Sequence, residues 1–293
     1  MPNTHLSVFL QHRAHCFGLA YRMLGSKTDT EDVLQEAYER WHQQSLDGIE
    51  NTQAFLTTIV SRLAIDHLRK HNQREQYVGH WLPEPLYDEE FTQAGPFEIQ
   101  STYQSLSMAF LLLLEQLNPT ERAVFLLRET FDYSYQEIAD IIHKAPDNCR
   151  QLFRRAKQRL DSTDNTSSTT NTASDEQQRL LSAFLACFGQ QDLSQFSQLL
   201  ADDICLMADG GGKVLSVLRP LHGRERIIRY FNALRKRSVD TIKDIKIISV
   251  SGNTGVLITP ENNERTLFTV ECWNNRIQRI LIIRNPEKLP DSI

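Results

Sequence analysis

Side chains that can bind DNA cluster between Lys144 and Arg159. This stretch holds six basic residues and one acidic residue, whereas the whole chain carries a formal net charge of -5. Amide and guanidinium groups, which can hydrogen-bond base edges and phosphates, belong there to Asn148, Arg150, Gln151, Arg154 and Arg155. A solvated basic helix in an ordinary bundle would carry the same charge, so the elements that position this stretch must decide between the two interpretations.

The residues before this stretch predict a helix-turn-helix. Residues 118–121 place a capping asparagine before a proline at the first helical position and a glutamate at the third. Ser134 and Glu137 form a capping box that opens another helix, and a basic helix follows from Pro146. Two short helices joined by a tight turn, of which the second is basic, are typical of a DNA-binding module. We therefore predict this module over residues 101–160.

A second polar face is predicted near the start of the chain, on a helix that the capping box Thr28-x-x-Glu31 opens. Four acidic or amide residues of this helix recur at helical spacing and share one face: Asp32, Gln35, Glu36 and Glu39. Such a face is commonly only solvated. Because no lysine is interleaved, it also suits a basic protein partner.

A basic stripe is predicted on the next helix, which begins near Thr52 and follows a loop that contains Asn51. Its polar side carries Arg62, Asp66, Arg69 and Lys70. Such a stripe can grip a nucleic acid strand if aromatic platforms or pockets receive the bases. Taken alone, the stripe is weak evidence for that function.

Two stretches divide the chain into three blocks. Residues 78–100 combine prolines with clustered acids, and residues 161–175 are rich in Ser, Thr, Asn and Asp, which is typical of linkers. Hydrophobic periodicity predicts helices before and between these linkers. From residue 176 onwards an amphipathic helix is followed by β-rich runs, with Asn274 and Asn275 at a hairpin turn. The third block is therefore predicted to be α+β.

Composition excludes several classes of protein. The five cysteines are far apart and form no C-x-x-C pair, so we expect neither a disulfide framework nor a metal site. The longest apolar run, residues 108–114, is much shorter than the roughly 20 residues that span a bilayer. We expect a cytoplasmic protein that contacts no membrane and requires no cofactor.

The motifs resemble those of a known family. Residues 32–38 resemble the D-x-x-Q-E-x-F/Y stretch in region 2.2 of the bacterial sigma-70 family, and residues 117–139 resemble region 4 of its extracytoplasmic-function (ECF) members. Residues 148–156 are similar to the recognition helix of a sigma-J-like subgroup that carries a SnoaL-like C-terminal extension. Three further motifs of that subgroup are matched by residues 81–86, 209–213 and 285–289.

The resemblance covers essentially the whole chain and implies a multidomain fold. It implies two all-α sigma domains, a region 2 helical bundle and a region 4 helix-turn-helix, followed by an α+β SnoaL-like domain shaped as a cone. The predicted boundaries are region 2 over 1–77, a Pro-rich and acidic linker over 78–100, region 4 over 101–160, a flexible linker over 161–175 and a regulatory SnoaL-like domain over 176–293.

The resemblance also implies roles for individual residues in promoter-specific transcription initiation. Asp32, Gln35 and Glu36 would dock on the β′ clamp helices of core RNA polymerase, whose β subunit is a further expected partner. The −10 element of promoter DNA would be melted and read by Asn51, Arg62, Asp66, Arg69 and Lys70. The −35 element would be read by Asn148, Arg150, Gln151, Arg154 and Arg155. One departure is Ala145, where many relatives have a capping Ser or Thr.

The C-terminal domain is expected to regulate the other two in place of a separate anti-sigma factor. The flexible linker would give it a high effective concentration for intramolecular docking. The expected contact involves Trp81, Leu82, Pro83, Leu86, Asp209, Gly211, Lys213, Asn285, Pro286, Glu287, Lys288 and Leu289. The alternative is that the apolar residues of the first linker only pack on region 2.

Two other functions stay open from the residues alone. One is a one-component helix-turn-helix regulator with a ligand-binding C-terminal domain. The other is a SnoaL-like enzyme, which would need a positioned acid or base inside the cone; the candidates are Asp203, Asp209, His222 and Glu271. We expect no enzymatic activity, because catalysis would belong to the polymerase.

Overall fold

The computed structural model divides the chain into two compact units. One comprises residues 1–72 and 94–168, and the other comprises residues 73–93 and 169–293. The structure describes residues 4–46, 48–70, 77–87, 107–163, 174–190, 193–238 and 242–289. Parts of the two predicted linkers, 88–100 and 164–173, lie outside the described residues.

The first unit is entirely helical where it is described. Its helices are α1 (His5–Leu24), α2 (Lys27–His42), α3 (Thr52–Lys70), α4 (Met108–Leu114), α5 (Pro119–Glu129), α6 (Tyr135–Ile142) and α7 (Pro146–Thr163). Asn118 and Ser134 cap α5 and α6 through the two predicted capping boxes. Three residues of the second predicted linker, 161–163, belong to α7.

Helix α2 begins earlier than the capping box at Thr28 predicts. Gly25 ends α1 in the left-handed conformation, with a φ of 67°. Ser26 follows in an extended conformation, and its hydroxyl accepts a hydrogen bond from the Asp29 amide at 3.3 Å. The cap is therefore Ser26, because the sharp turn at Gly25 leaves room for only one extended residue before the helix.

Buried contacts join the three N-terminal helices to the later ones within this unit. Trp41 and Tyr21 are fully buried. Arg122 on α5 is 3% exposed, and its Nη1 donates to the carbonyl oxygen of Met23 at 2.5 Å and to Glu115 at 2.8 Å. One amino group of this guanidinium is thus bonded to a carbonyl oxygen and to a carboxylate, which offsets part of the cost of burying its charge.

The second unit is α+β. Its helices are α8 (Ser174–Gln190), α9 (Leu193–Leu199) and α10 (Arg224–Ser238). Its strands are β1 (Leu200–Asp209), β2 (Leu221–His222), β3 (Ile242–Val250), β4 (Asn253–Pro260), β5 (Thr266–Trp273) and β6 (Arg276–Ile283). They form one sheet in the order β2-β1-β6-β5-β4-β3, in which the β1–β6 pair is parallel and the others are antiparallel. Asn274 and Asn275 form the predicted turn, with φ values of 50° and 59°.

Strand β1 was not predicted, although it lies inside the sheet. Two successive acids, Asp202 and Asp203, interrupt its alternation of apolar and polar residues. The same stretch carries a register shift between Leu200 and Cys205 in the pairing with β6. Because a period of two is the sequence signal of a strand, this irregularity removes the signal.

Both faces of the sheet carry buried residues, although most of the edge strand β3 is exposed. One face packs with α8, α9 and α10 in a core that includes Phe184, Phe196 and Phe231. The residues that alternate with this core along the strands lie on the opposite face, and several are also buried there: Leu257, Leu267, Leu281 and Ile283. The predicted fold class, two all-α modules followed by an α+β domain, is confirmed.

None of the described helices has the length and apolar character that a membrane span would need.

Candidate functional site

The polar face of α2 is exposed as predicted from its spacing. Asp32, Gln35 and Glu36 are exposed, while Val33 and Ala37 on the other side of the helix are buried. The face is not purely acidic in its contacts, because Arg40 donates to Glu36 Oε1 at 2.6 Å. Half of each side chain in that pair is exposed, so a basic partner can compete for the Glu36 carboxylate.

The predicted −10 residues do not form one open surface. Arg62 donates from Nε to the Ile141 carbonyl oxygen at 2.7 Å and from Nη2 to the Asp140 carbonyl oxygen at 3.0 Å. These carbonyl groups end α6, so the guanidinium satisfies acceptors that the helix leaves open. Desolvation by burial lowers the pKa of Arg62. In this structure the Arg62 side chain therefore joins α3 to the end of α6 within the helical unit.

The other four residues of this set are exposed, with different contacts. Arg69 donates to the Thr120 hydroxyl at 3.1 Å and lies 3.5 Å from Asp66. Asn51 accepts a hydrogen bond from the Ala54 amide at 3.0 Å and so stabilises the start of α3. Lys70 lies at the end of α3, where a cation suits the helix dipole.

The predicted −35 residues lie together on α7. All five are exposed, and Cys149, Leu152 and Ala156 hold the opposite side of the helix in the core. The guanidinium of Arg150 forms an ion pair with Asp147 one turn earlier. Pro146 is the first residue of the helix. Ala145, which stands where many relatives have a capping Ser or Thr, precedes it and has no capping hydroxyl. The arrangement exposes amide and guanidinium groups together on one helix, and such groups can hydrogen-bond base edges.

Asp209 at the end of β1 is the centre of the predicted regulatory contact. Its carboxylate is fully buried and accepts hydrogen bonds from the Tyr77 hydroxyl at 2.6 Å and the Leu82 amide at 2.9 Å. The Gly211 amide donates to it at 3.0 Å, and Lys288 Nζ at 2.7 Å. The charge is thus neutralised by one ammonium group and solvated by three neutral donors, which is what burial of a carboxylate requires.

Lys288 links the first linker to the C-terminal motif. Its Nζ also donates to the Leu82 carbonyl oxygen at 2.5 Å, and it lies 4.4 Å from the ring centroid of Trp81 and 5.1 Å from that of Tyr77. Two aromatic rings and a carboxylate therefore surround one ammonium group, and each attracts a cation. Residues 77–87 are part of the second unit because of such contacts.

The glycines of the 209–213 motif allow close approach. Gly211 has a φ of 61°, and a Cβ atom there would lie 2.5 Å from the Asn285 side chain. At Gly212, a Cβ atom would lie 2.9 Å from Val78. Lys213 forms an ion pair with Glu287 on the surface. The motif thus brings the backbone of this turn against both the first linker and the C-terminal motif.

The remaining predicted contact residues divide into buried and exposed ones. Pro83 and Leu289 are buried, and Leu86 is fully buried. The Leu86 amide donates to the Ser251 hydroxyl at 3.1 Å, and its carbonyl oxygen accepts from the Ser251 amide at 2.7 Å. Pro286 is exposed and begins a short 3₁₀ helix. The structure therefore brings the three motifs together around Asp209, with Pro286 at their edge.

Tyr77 is a residue of this site that the sequence did not indicate. Its hydroxyl donates to Asp209 and accepts from Asn285 Nδ2 at 2.9 Å. Desolvation by burial, and then its hydrogen bond to Asp209, raise the pKa of Tyr77. The nearby His80 has its pKa lowered by desolvation, against the attraction of Asp209. A single aromatic residue outside the Trp81–Leu86 motif carries no signal of its own.

The four candidate acids and bases differ in burial and in their contacts. Asp203 and His222 are exposed. Glu271 accepts from Arg279 at 2.7 Å, and Asp209 is bound by the donors described above. Within the described ranges, no group of three or more His, Cys, Asp or Glu side chains is arranged to hold a metal ion.

Comparisons with known proteins match both helical regions. A model of Sigma-70 region 2 matches residues 8–74, and a model of Sigma-70, region 4 matches residues 107–160. The chain is 30% identical over 233 residues to the ECF RNA polymerase sigma factor SigJ of Mycobacterium tuberculosis. This alignment covers 79% of this chain and 73% of that relative. It is 29% identical over 208 residues to the ECF RNA polymerase sigma factor SigG of the same species, covering 64% and 55%.

A solved structure extends the similarity to the C-terminal unit. The crystal structure of the Mycobacterium tuberculosis ECF sigma factor SigJ superposes with a TM-score of 0.77 at 25% identity, covering 97% of each chain. The similarity therefore includes the α+β domain as well as the two helical regions.

Proposed function

Because the chain belongs to the extracytoplasmic-function sigma factors of the sigma-70 family, we propose that it binds core RNA polymerase and directs it to specific promoters. The observation that carries this proposal is the pairing, in one helical unit, of the exposed Asp32–Gln35–Glu36 face with a capped helix-turn-helix. A regulator that only binds DNA needs the second feature but not the first. The protein acts as an initiation factor, and phosphodiester chemistry belongs to the polymerase.

The α2 face is proposed to dock on the β′ clamp helices. Charge complementarity supports this role, because carboxylates at i and i+4 with an amide between them form a compact acceptor surface. Region 2 is assigned to residues 1–77 and region 4 to residues 101–160. The β subunit of the polymerase is proposed as a further partner. These ranges include the two matched spans, 8–74 and 107–160.

Promoter DNA is proposed to contact α3 and α7. On α7, the −35 element is assigned to Asn148, Arg150, Gln151, Arg154 and Arg155, whose side chains are all exposed. Asn51 just before α3, and Asp66, Arg69 and Lys70 on that helix, are exposed and are assigned to the −10 element. Arg62 is assigned there too, through the guanidinium donors that its bonds to Asp140 and Ile141 leave over.

The C-terminal domain, residues 176–293, is proposed to regulate initiation through the first linker. What supports this is the burial of Leu82 and Leu86 together with the four donors to Asp209. A segment that connects regions 2 and 4 is thereby held by a third domain. Any change in that domain that releases the segment alters how far apart the two regions can move.

Binding to core polymerase tests the central proposal. We expect the double variant Asp32→Arg with Gln35→Ala to bind bacterial core polymerase at least about tenfold more weakly, because reversed charge meets a basic partner. Glu31→Gln is the matched control, since Glu31 pairs with Arg13 at 2.8 Å outside this face. Unchanged binding of the double variant, with its fold intact, would refute the assignment.

The one-component regulator is not favoured. It leaves residues 8–74 without a role, although they match region 2. Run-off transcription separates the two functions: an initiation factor confers start-site selectivity on core polymerase alone, whereas a one-component regulator needs another sigma factor.

A further inference from the structure

Three elements of the helix-turn-helix meet at the ring of Tyr135. Arg128 lies in the last turn of α5, Tyr135 is the first residue of α6, and Arg150 lies near the start of α7. The Arg128 Cζ atom is 5.3 Å from the Tyr135 ring centroid, and the Arg150 Cζ atom is 5.5 Å from it. A tyrosine ring attracts guanidinium groups at such distances. One ring therefore contacts two cations, only one of which belongs to the recognition helix.

The Tyr135 ring is held by the core of the module. It meets the Phe153 ring edge-on with centroids 6.1 Å apart, and Phe153 stacks on Phe125 at 6.0 Å. Phe125 is buried. Because aromatic pairs at these distances prefer defined orientations, the ring is a rigid platform for the two guanidinium groups.

Both guanidinium groups remain accessible. Arg128 donates to the Tyr133 carbonyl oxygen at 2.9 Å and lies 3.6 Å from Asp132, and its side chain is 36% exposed. The Arg150 side chain, paired with Asp147, is 58% exposed. Both carboxylate partners are largely exposed, so these ion pairs are weak. A guanidinium has five N–H donors, which leaves donors on each arginine for a phosphate.

We propose that Arg128 contacts a backbone phosphate of the −35 DNA and that Tyr135 is a positioning residue for Arg128 and Arg150. This inference rests on the proposed function of α7. Arginine suits the role because its planar fork matches phosphate oxygens. Phosphate contacts fix the register of a recognition helix on the duplex without reading sequence. Arg128 and Tyr135 would therefore set how α7 enters the groove.

The salt dependence of DNA binding tests the contact. Full-length protein is assembled with core polymerase, and the probe is a duplex selected from a random DNA pool by the wild-type holoenzyme. The logarithm of the affinity falls linearly with the logarithm of the salt concentration, and each lost phosphate contact makes this line less steep by about 0.9. Arg128→Gln should show that decrease, which makes the affinity loss over a fourfold rise in salt about 3.5-fold smaller. Base preference should not change.

A neutral phosphate identifies the contact directly. Methylphosphonate linkages are placed one at a time along the −35 half of the probe. With the wild-type protein, one linkage should weaken binding, and with Arg128→Gln the same linkage should have no further effect. A purely structural role for Arg128 would leave the two losses additive.

Two tyrosine variants test the positioning role. Tyr135→Phe keeps the ring and should keep the salt dependence of the wild type. Tyr135→Leu should make the salt dependence less steep, while an unchanged circular dichroism spectrum shows that the helices are intact. An Arg128→Gln slope equal to that of the wild type would overturn the proposal. Arg154→Ala is measured in parallel: if it too has no effect on DNA binding, the −35 assignment of α7 itself has failed.

Discussion

At the scale of single residues, the main feature is a buried carboxylate that joins distant parts of the chain. Asp209 binds Tyr77 just before the first linker, Leu82 within that linker and Lys288 of the C-terminal motif. Removing two charges from water is costly, and only good geometry and further hydrogen bonds offset that cost. We therefore expect the pair to specify which segment docks here more than to add stability.

Asp209→Ala should strongly destabilise the second unit. It leaves the Lys288 ammonium, 10% exposed, without its carboxylate, and it leaves the Tyr77 and Leu82 donors without an acceptor. Breaking a buried pair in this way costs about 3–5 kcal/mol. Lys213→Ala breaks an exposed pair and should cost at most about 1 kcal/mol. Urea unfolding followed by fluorescence measures both, and equal midpoints for the two variants would contradict the role of Asp209.

His15 should make the stability of the helical unit depend on pH. Its Nε2 lies 3.0 Å from the Thr57 hydroxyl, and its ring meets Phe131 edge-on at 4.9 Å. Desolvation, followed by repulsion from His12 and Arg22, lowers its pKa from 6.5 to about 4. Between these values the unfolded chain binds a proton that the folded chain does not. The contribution to stability is therefore complete above pH 6.5 and is lost as the pH falls towards 4.

The measurement is the free energy of unfolding between pH 7 and pH 4, compared with His15→Gln. The wild-type curve should fall more steeply by up to about 1.4 kcal/mol per pH unit over this interval. Parallel curves for the two proteins would show that His15 takes up its proton equally in both states.

At the scale of elements, a helix is defined by what satisfies its ends as much as by its own sequence. Arg62 on α3 donates to the last carbonyl groups of α6. The Thr57 hydroxyl lies 3.0 Å from the Tyr133 hydroxyl just before that helix. Helix α6 is thus bounded by side chains from α3 at both ends. A DNA contact by Arg62 that replaced these bonds would therefore loosen α6, the first helix of the helix-turn-helix.

Helix α7 should read base sequence through Arg154. Its guanidinium is exposed on the side of the helix away from the core. Arg154→Ala should cost about 1–3 kcal/mol of specific binding and relax the preference at one base pair. Lys157→Ala also removes one positive charge, from a side chain that pairs with Glu129 and lies over Phe153. This variant should weaken the binding of all DNA sequences equally. Selection from a random DNA pool distinguishes them, and an unchanged consensus for Arg154→Ala would exclude a base contact.

At the scale of the whole molecule, a segment between two helical regions is built into a third domain. Leu82 and Leu86 are completely buried, and Tyr87 forms an antiparallel bridge with Val250 at the end of β3. Burying one leucine contributes about 1.5–3 kcal/mol. The folding of the C-terminal unit is therefore coupled to the position of the first linker.

Ending the chain after Arg284 should change transcriptional output without changing the promoter consensus. The truncation removes Asn285 and Lys288, and with them the contacts to Tyr77, Trp81 and Leu82. Leu86→Asp in the full-length chain should change output in the same direction, because it places a charge at a fully buried position. Run-off transcription on a fixed promoter set measures both. Opposite effects of the two changes, or an altered consensus, would contradict regulation through the linker.

The sequence alone determined the local features of this protein. Capping residues, apolar periodicity and the Asn274–Asn275 turn depend on neighbours a few positions apart, so they were readable in one dimension. The exposed face of α2 and the exposed residues of α7 follow from the same periodicity. The regulatory contact was suggested by three separate motifs, but only through their resemblance to a family.

Tertiary structure decided what those local features are used for. It put Tyr77 beside Asp209, Arg62 on the end of α6 and β1 into the sheet despite its adjacent acids. The first two contacts join residues 132 and 79 positions apart, and β1 pairs with β6, which is the last described strand of the chain. A buried charge or an open helix end takes whichever partner the folded chain brings near, and no pattern of neighbouring residues records that choice.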